Sequence, residues 1–240
     1  MKVWREDNVF FKSNLIKERG FTNRTKKHRL PEGINDAMER ISKNLILNLP
    51  ESEGKAYLMC SALRYEGCST IACSLARILA LSLNKSVVIV DANLRSPSVH
   101  EFFDLPRADG LADVLSGEVE PWASIKKTGV ENLFVVTSGN PSTSGESIFE
   151  TKKILDYLSY LRTKHQFLII DSASILMYSD SLGLARYMDG VILVVESERI
   201  RREVALKAKE SLQTVGARIV GVVINKRRHY IPESIYRRLI

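Results

Sequence analysis

The chain has 240 residues, 45% of them hydrophobic and 26% charged, and a formal net charge of +7, a balance that allows one large buried core and excludes a fibrous or wholly disordered chain. No run approaches the roughly eighteen consecutive apolar residues of a membrane span, and Met1-Lys2-Val3-Trp4-Arg5 lacks the apolar run of a signal peptide; a cytoplasmic protein is expected. The charge lies at the two ends: Met1 to Leu30 holds nine Lys and Arg against three Asp and Glu, and the tail from Lys226 holds five against one, so the body between them is mildly acidic.

Residues 1–31 show no sustained period and read as a basic, weakly ordered arm, leaving 32–240 as the folded domain. Such an arm can meet an anionic membrane surface, an acidic partner or a nucleic acid, or stay solvated. Ile34, Met38, Ile41, Leu45 and Leu47 recur at helical spacing behind Asn35 or Asp36 as N-cap, so a helix is expected before Pro50. From Lys55 the rhythm changes to short apolar runs: Ala56 to Cys60, Ser86 to Val90, Leu133 to Thr137, Phe167 to Ile170, Gly190 to Val195 and Ile219 to Ile224. Helical patterns fall between them, at about Ser69 to Leu83, Ile148 to Thr163, Ser181 to Tyr187 and Arg201 to Val215. Six buried strands with interleaved helices predict an α/β fold with a doubly wound, mostly parallel sheet. Cys60, Cys68 and Cys73 read as small buried residues, and the scattered His28, His100, His165 and His229 suggest no metal site.

Ligands of such sheets bind outside the carboxyl ends of the strands. The first loop there reads Ser61-Ala62-Leu63-Arg64-Tyr65-Glu66-Gly67-Cys68-Ser69-Thr70 and opens into a helix, the context that a phosphate-binding Walker A loop, G-x-x-x-x-G-K-[ST], requires. Gly67 and Ser69 match that pattern; Ala62 replaces its first glycine and Cys68 its lysine.

Further on stand Val87-Val88-Ile89-Val90-Asp91-Ala92-Asn93-Leu94-Arg95-Ser96-Pro97, Gly110-Leu111-Ala112-Asp113-Val114-Leu115-Ser116-Gly117, Phe167-Leu168-Ile169-Ile170-Asp171 and Gly221-Val222-Val223-Ile224-Asn225. In this order the motifs resemble the bacterial tyrosine kinases of exopolysaccharide and capsule assembly, members of the MinD/ParA class of P-loop ATPases. The resemblance implies a P-loop NTPase fold, with ATP or ADP and magnesium as cofactors. It assigns Gly67, Cys68, Ser69 and Thr70 to the phosphates, Ser69, Asp91 and Asp171 to magnesium, Asp91 and Asp171 to the catalytic carboxylates, and Asn225 to the base. The competing reading of both aspartates is as caps of the turns that follow them.

The departures from the family pattern cluster at one site. A neutral thiol cannot supply the charge that the loop lysine gives to the β- and γ-phosphates. Tyr65 stands in place of a glycine and its ring is a candidate to fill the phosphate cavity, Asn93 replaces the second acid of D-x-D, and Ser172-Ala173-Ser174 replaces T-P-P. Arg64, one turn away, is the candidate substitute for the missing ammonium. The ring-forming helix pattern E-x-x-R-x-x-R aligns with Asp36, Glu39 and Ser42, without either arginine, and the tail offers only Tyr230 and Tyr236 where the family has a tyrosine cluster.

The expected function is thus a degenerate, tyrosine-kinase-like P-loop protein that serves polysaccharide assembly as a regulatory or scaffold partner. Its partner would be a membrane polysaccharide copolymerase or an active tyrosine kinase, met at the inner face of the membrane, with the homo-oligomeric state left open. The alternatives are an autokinase with a non-standard P-loop, using Arg64, and a MinD/ParA-type module that binds membrane or, less in keeping with the sequence, DNA.

Overall fold

Short β-rich runs buried on both faces can only be the inner strands of a covered sheet. The computed structural model, which describes residues 9–12, 38–43, 45, 54–140 and 152–226, has all six: β2 (Lys55–Ser61), β3 (Val87–Asp91), β5 (Leu133–Val136), β6 (Phe167–Asp171), β7 (Gly190–Glu196) and β8 (Ile219–Asn225). Every residue of β3 and of β6 is buried. Two strands were not expected. β1 (Val9–Lys12), inside the stretch read as an arm, pairs parallel with β8, and β4 (Lys126–Lys127) pairs antiparallel with β5. The sheet order is β1-β8-β7-β2-β6-β3-β5-β4, so seven strands run parallel and the two-residue β4 opposes them.

The helices cover both faces. The first, α1, at residues 38–43 and 45, buries Met38, Ile41 and Leu45, the spacing read in the sequence. Ser42 is buried too, and its hydroxyl donates to the Glu39 carbonyl at 2.8 Å. Asp36, Tyr230 and Tyr236 lie outside the described residues. Helix α2 (Cys68–Leu83) packs with α1 into one half of the core, around Ile71, Leu75, Leu79 and Ile89. The opposite half gathers Leu58, Val90 and Ile170 of the sheet with α5 (Lys152–Lys164), α6 (Asp180–Ala185) and α7 (Arg202–Thr214). On α5 the buried residues Ile154, Tyr157, Leu158 and Leu161 form one amphipathic stripe.

Two short helices, α3 (Val99–Phe102) and α4 (Leu111–Ser116), are too brief to give a helical period. They explain two motifs. Asp91 binds the first turn of α3, and Asp113 accepts hydrogen bonds from the backbone N–H of Gly110 at 2.8 Å and of Asn140 at 3.1 Å, tying α4 to the chain that leaves β5. A side chain on Gly110 would collide with the Thr137 carbonyl and the Gly139 amide, so glycine is required there.

Candidate nucleotide-binding site

The sheet order places β2 between β7 and β6, and the loop after β2 emerges at the carboxyl edge with Asp171 and Asp91 on one side and Glu196 and Asn225 on the other. The loop turns through two left-handed residues, Tyr65 at φ 65° and Gly67 at φ 85°. Gly67 is the N-cap of α2, which starts at Cys68 and has no side-chain cap and no acid in its first turn. Its free N–H groups and positive dipole end therefore face an open cavity of about 420 Å3, lined by the loop, Asn93, Arg95, Ser174, Tyr178 and Lys226 among others.

The ring of Tyr65 does not fill this cavity. Tyr65 is 72% exposed, and the Arg64 guanidinium lies 5.3 Å from its ring centroid. The left-handed conformation turns the side chain outward, and Arg64 is engaged on that outward ring. The cavity stays open, with Arg64 at its rim.

Four side chains that the sequence reading placed together do meet. Asp91 and Asp171 are register partners on β3 and β6. Asp91 acts as a cap: its Oδ2 accepts the N–H groups of Ser98 and Val99, both at 3.1 Å, and its Oδ1 that of Asn93 at 3.2 Å. Burial raises its pKa, and these donors oppose the shift. Asp171 is wholly buried and neither of its oxygens accepts a hydrogen bond in good geometry, from backbone or side chain. The Ser69 hydroxyl and the Cys68 thiol face this carboxylate and ease its charge, yet burial and the neighbouring Asp91 still push its pKa well up. A buried carboxylate that no backbone N–H and no positive charge offsets is costly, and a hard cation is a ligand that would relieve it. Asp171 and Ser69 thus fit a magnesium ion as oxygen donors.

Cys68 is buried, and desolvation followed by the nearby Asp171 lifts its thiol far above the ordinary range. It is neutral at physiological pH. Cys60 and Cys73 are likewise buried, free and protonated. Of the T-P-P replacement, Ser172 donates to the Met59 carbonyl at 3.0 Å, whereas the buried Ser174 hydroxyl has no partner. Asn93 closes the turn after β3 by accepting the Ser96 N–H at 3.2 Å, a task that aspartate also performs.

Three residues of the site escaped the sequence reading. Glu66, inside the loop yet buried, accepts the Leu63 N–H at 2.7 Å and the Glu196 N–H at 3.0 Å, pinning the loop to the end of β7. Desolvation raises its pKa against those donors. Glu196 and Lys226 complete the tie, with Lys226 Nζ 3.1 Å from Glu196 and donating at 2.7 Å to the Tyr65 carbonyl. Asn225 Nδ2 donates to the Glu66 carbonyl at 2.8 Å, and Gly67 passes so close that a Cβ there would collide with that amide. An acid beside a phosphate-loop glycine was the available signal for Glu66, since it must point away from an anion. Lys226 was counted among the tail cations.

A strand, a loop with its left-handed glycine and an uncapped helix start, flanked by strand-end carboxylates, define the fold of P-loop NTPases. MinD of Pyrococcus furiosus shares it, with a TM-score of 0.63 at 21% identity over 78% of this chain and 79% of that one. Closer relatives narrow the class. The chain is 31% identical over 162 residues to the tyrosine-protein kinase CpsD of Streptococcus pneumoniae, covering 67% of this chain and 71% of CpsD. It is 29% identical over 199 residues to the tyrosine-protein kinase YwqD of Bacillus subtilis, covering 82% and 84%. The succinoglycan biosynthesis transport protein ExoP of Rhizobium meliloti matches at 26% identity over 74% of this chain but only 23% of its own length. The crystal structure of the chimerical protein CapA2B2 superposes with a TM-score of 0.75 at 28% identity, over 81% and 85% of the two chains. No family model matches. The chain belongs to the bacterial tyrosine-protein kinase family.

Proposed function

We propose that this member of the family binds a magnesium nucleotide weakly and transfers phosphate poorly or not at all, and that it acts in polysaccharide biosynthesis or export as a regulatory or scaffold partner. The observation that carries the reading is the pairing of Cys68 with Asp171: a buried neutral thiol stands at the lysine post, beside a buried carboxylate that no cation among the described residues offsets. Magnesium, when bound, supplies Lewis-acid charge to the phosphates. The chain's own groups would bind and orient: the N–H groups at the start of α2 would take phosphate oxygens and Ser69 and Asp171 would hold the ion, while Asp91 shapes the turn that leads to Ser98. None of these groups replaces the ammonium that would follow charge onto the transferred phosphoryl group. Arg64, engaged on the exposed ring of Tyr65, favours this reading over an autokinase that uses Arg64.

Among the described residues no helix is long and apolar enough to cross a membrane. A cytoplasmic protein that docks at the inner membrane face, on a polysaccharide copolymerase or on an active tyrosine kinase, accords with the ExoP likeness and the basic ends. Titration calorimetry with ADP and ATP, each with and without magnesium, alongside phosphate release and phosphotyrosine blotting, tests the reading. Metal-dependent binding without turnover is expected; micromolar binding with turnover or autophosphorylation would sink it.

A further inference from the structure

The sheet order gives a bound nucleotide a direction. Asp171 and Asp91 close β6 and β3 on one side of the loop, whereas Glu196 and Asn225 close β7 and β8 on the other. Metal and outer phosphates belong with the carboxylates, so the nucleoside runs toward β7 and β8. Asn225, to which the family resemblance gives the base, is only 1% exposed and already committed. Its Nδ2 donates to the Glu66 carbonyl, and its Oδ1 accepts the Lys226 N–H at 2.8 Å.

Among the described residues that line the cavity on this side of the loop, Lys226 is the side chain left to meet the nucleoside. It lines the cavity with its side chain 35% exposed, and its stem passes Gly67, with Cε 3.9 Å from where a Cβ would stand. Its ammonium reaches the Tyr65 carbonyl at 2.7 Å and Glu196 at 3.1 Å, which uses two of the three donors an ammonium has. We propose that Lys226 is a nucleotide-binding residue: its methylene stem packs against the nucleoside while its ammonium braces the phosphate loop at the Tyr65 carbonyl. Glu196 offsets its charge, so it acts by position and does not restore the cation missing at Cys68. The left-handed backbone of Lys226, φ 55°, sends the stem back across the loop.

This inference rests on the nucleotide-binding reading, and the experiment separates the two. Magnesium-ADP is titrated into wild type, Lys226→Met, Lys226→Ala and Lys226→Arg, with urea melts of each and amide exchange of residues 62–70 in the ligand-free proteins. Lys226→Met, which keeps the stem, should weaken binding about tenfold and speed loop exchange about tenfold without moving the global melt. Lys226→Ala should weaken binding further, and Lys226→Arg should restore both within about threefold. Wild-type binding that Lys226→Met and Lys226→Ala leave unchanged overturns the inference alone. A wild type that binds no magnesium-ADP overturns the nucleotide-binding reading and this inference with it.

Discussion

Asp91 and Asp171 stand side by side on β3 and β6, but three backbone N–H groups hold Asp91 whereas among the described residues no backbone N–H reaches Asp171, which only the Ser69 hydroxyl and the Cys68 thiol face. Two strand-end carboxylates that look equivalent in sequence therefore do different work. Asp91 holds the turn after β3; Asp171 is a buried carboxylate whose charge a bound cation would offset.

Asp171→Asn should therefore stabilise the metal-free protein while removing its magnesium response. Because burial and Asp91 raise the pKa of Asp171, the fold favours the protonated acid. That contribution is complete below the unfolded value near 3.9 and is lost as pH rises through the higher folded value. The gain from Asp171→Asn should be small near pH 4 and reach about 1 to 3 kcal/mol, or roughly 2 to 8 °C in Tm, at neutral to alkaline pH. Calorimetric melts across that range measure it, and an unchanged or lower Tm above neutral pH contradicts it.

Cys68→Lys places an ammonium beside Asp171 at the start of α2. Affinity for magnesium-ATP should rise by about tenfold or more, the scale of one charge-assisted contact to phosphate. Titration calorimetry reads this directly, and equal affinities would show that the loop backbone, not the missing charge, limits binding.

Glu66→Ala strips the Leu63 and Glu196 amides of their acceptor. Two partly buried donors left without that acceptor predict a loss of about 1 to 3 kcal/mol in urea unfolding. Glu66→Gln keeps one acceptor oxygen and should lose less.

Gly67→Ala meets two obstacles, a left-handed φ of 85° and a Cβ that collides with the Asn225 amide. A loss of at least about 2 kcal/mol is expected, together with weaker nucleotide binding, since the clamp on the Glu66 carbonyl must open. A melt within error of wild type would show that β8 can move away.

His165 lies buried against Phe134, with ring centroids 4.9 Å apart, and Ser86 Oγ is 3.0 Å from its Nδ1. Burial pushes its pKa down to about 4. The neutral ring's contribution is present above the unfolded value near 6.5 and is lost as pH falls toward 4, to a total of about 2 to 3 kcal/mol. Asp171 acts in the opposite sense in part of that window, so the measurement is the difference between wild type and His165→Gln. That difference should shrink on acidification, and a constant difference contradicts it.

The amino-acid sequence by itself determined the fold class, the inner strands of the sheet, the phosphate loop with its missing lysine, and the family. Burial on both faces writes uninterrupted apolar runs into a chain, and a loop between strand and helix writes its glycine, so both can be read without coordinates. β1 and β4 were not legible, because an edge strand is defined by the neighbour it pairs with rather than by its own periodicity.

Tertiary structure alone decided what the site residues do. The outward ring of Tyr65 follows from a backbone angle that only the closed loop fixes. The contrast between Asp91 and Asp171 depends on which backbone amides the turn after β3 brings within reach. Lys226 lies more than 150 positions from Tyr65 in the chain, at 161 residues, and only the order of β8, β7 and β2 lets its ammonium hold the loop whose own lysine is absent.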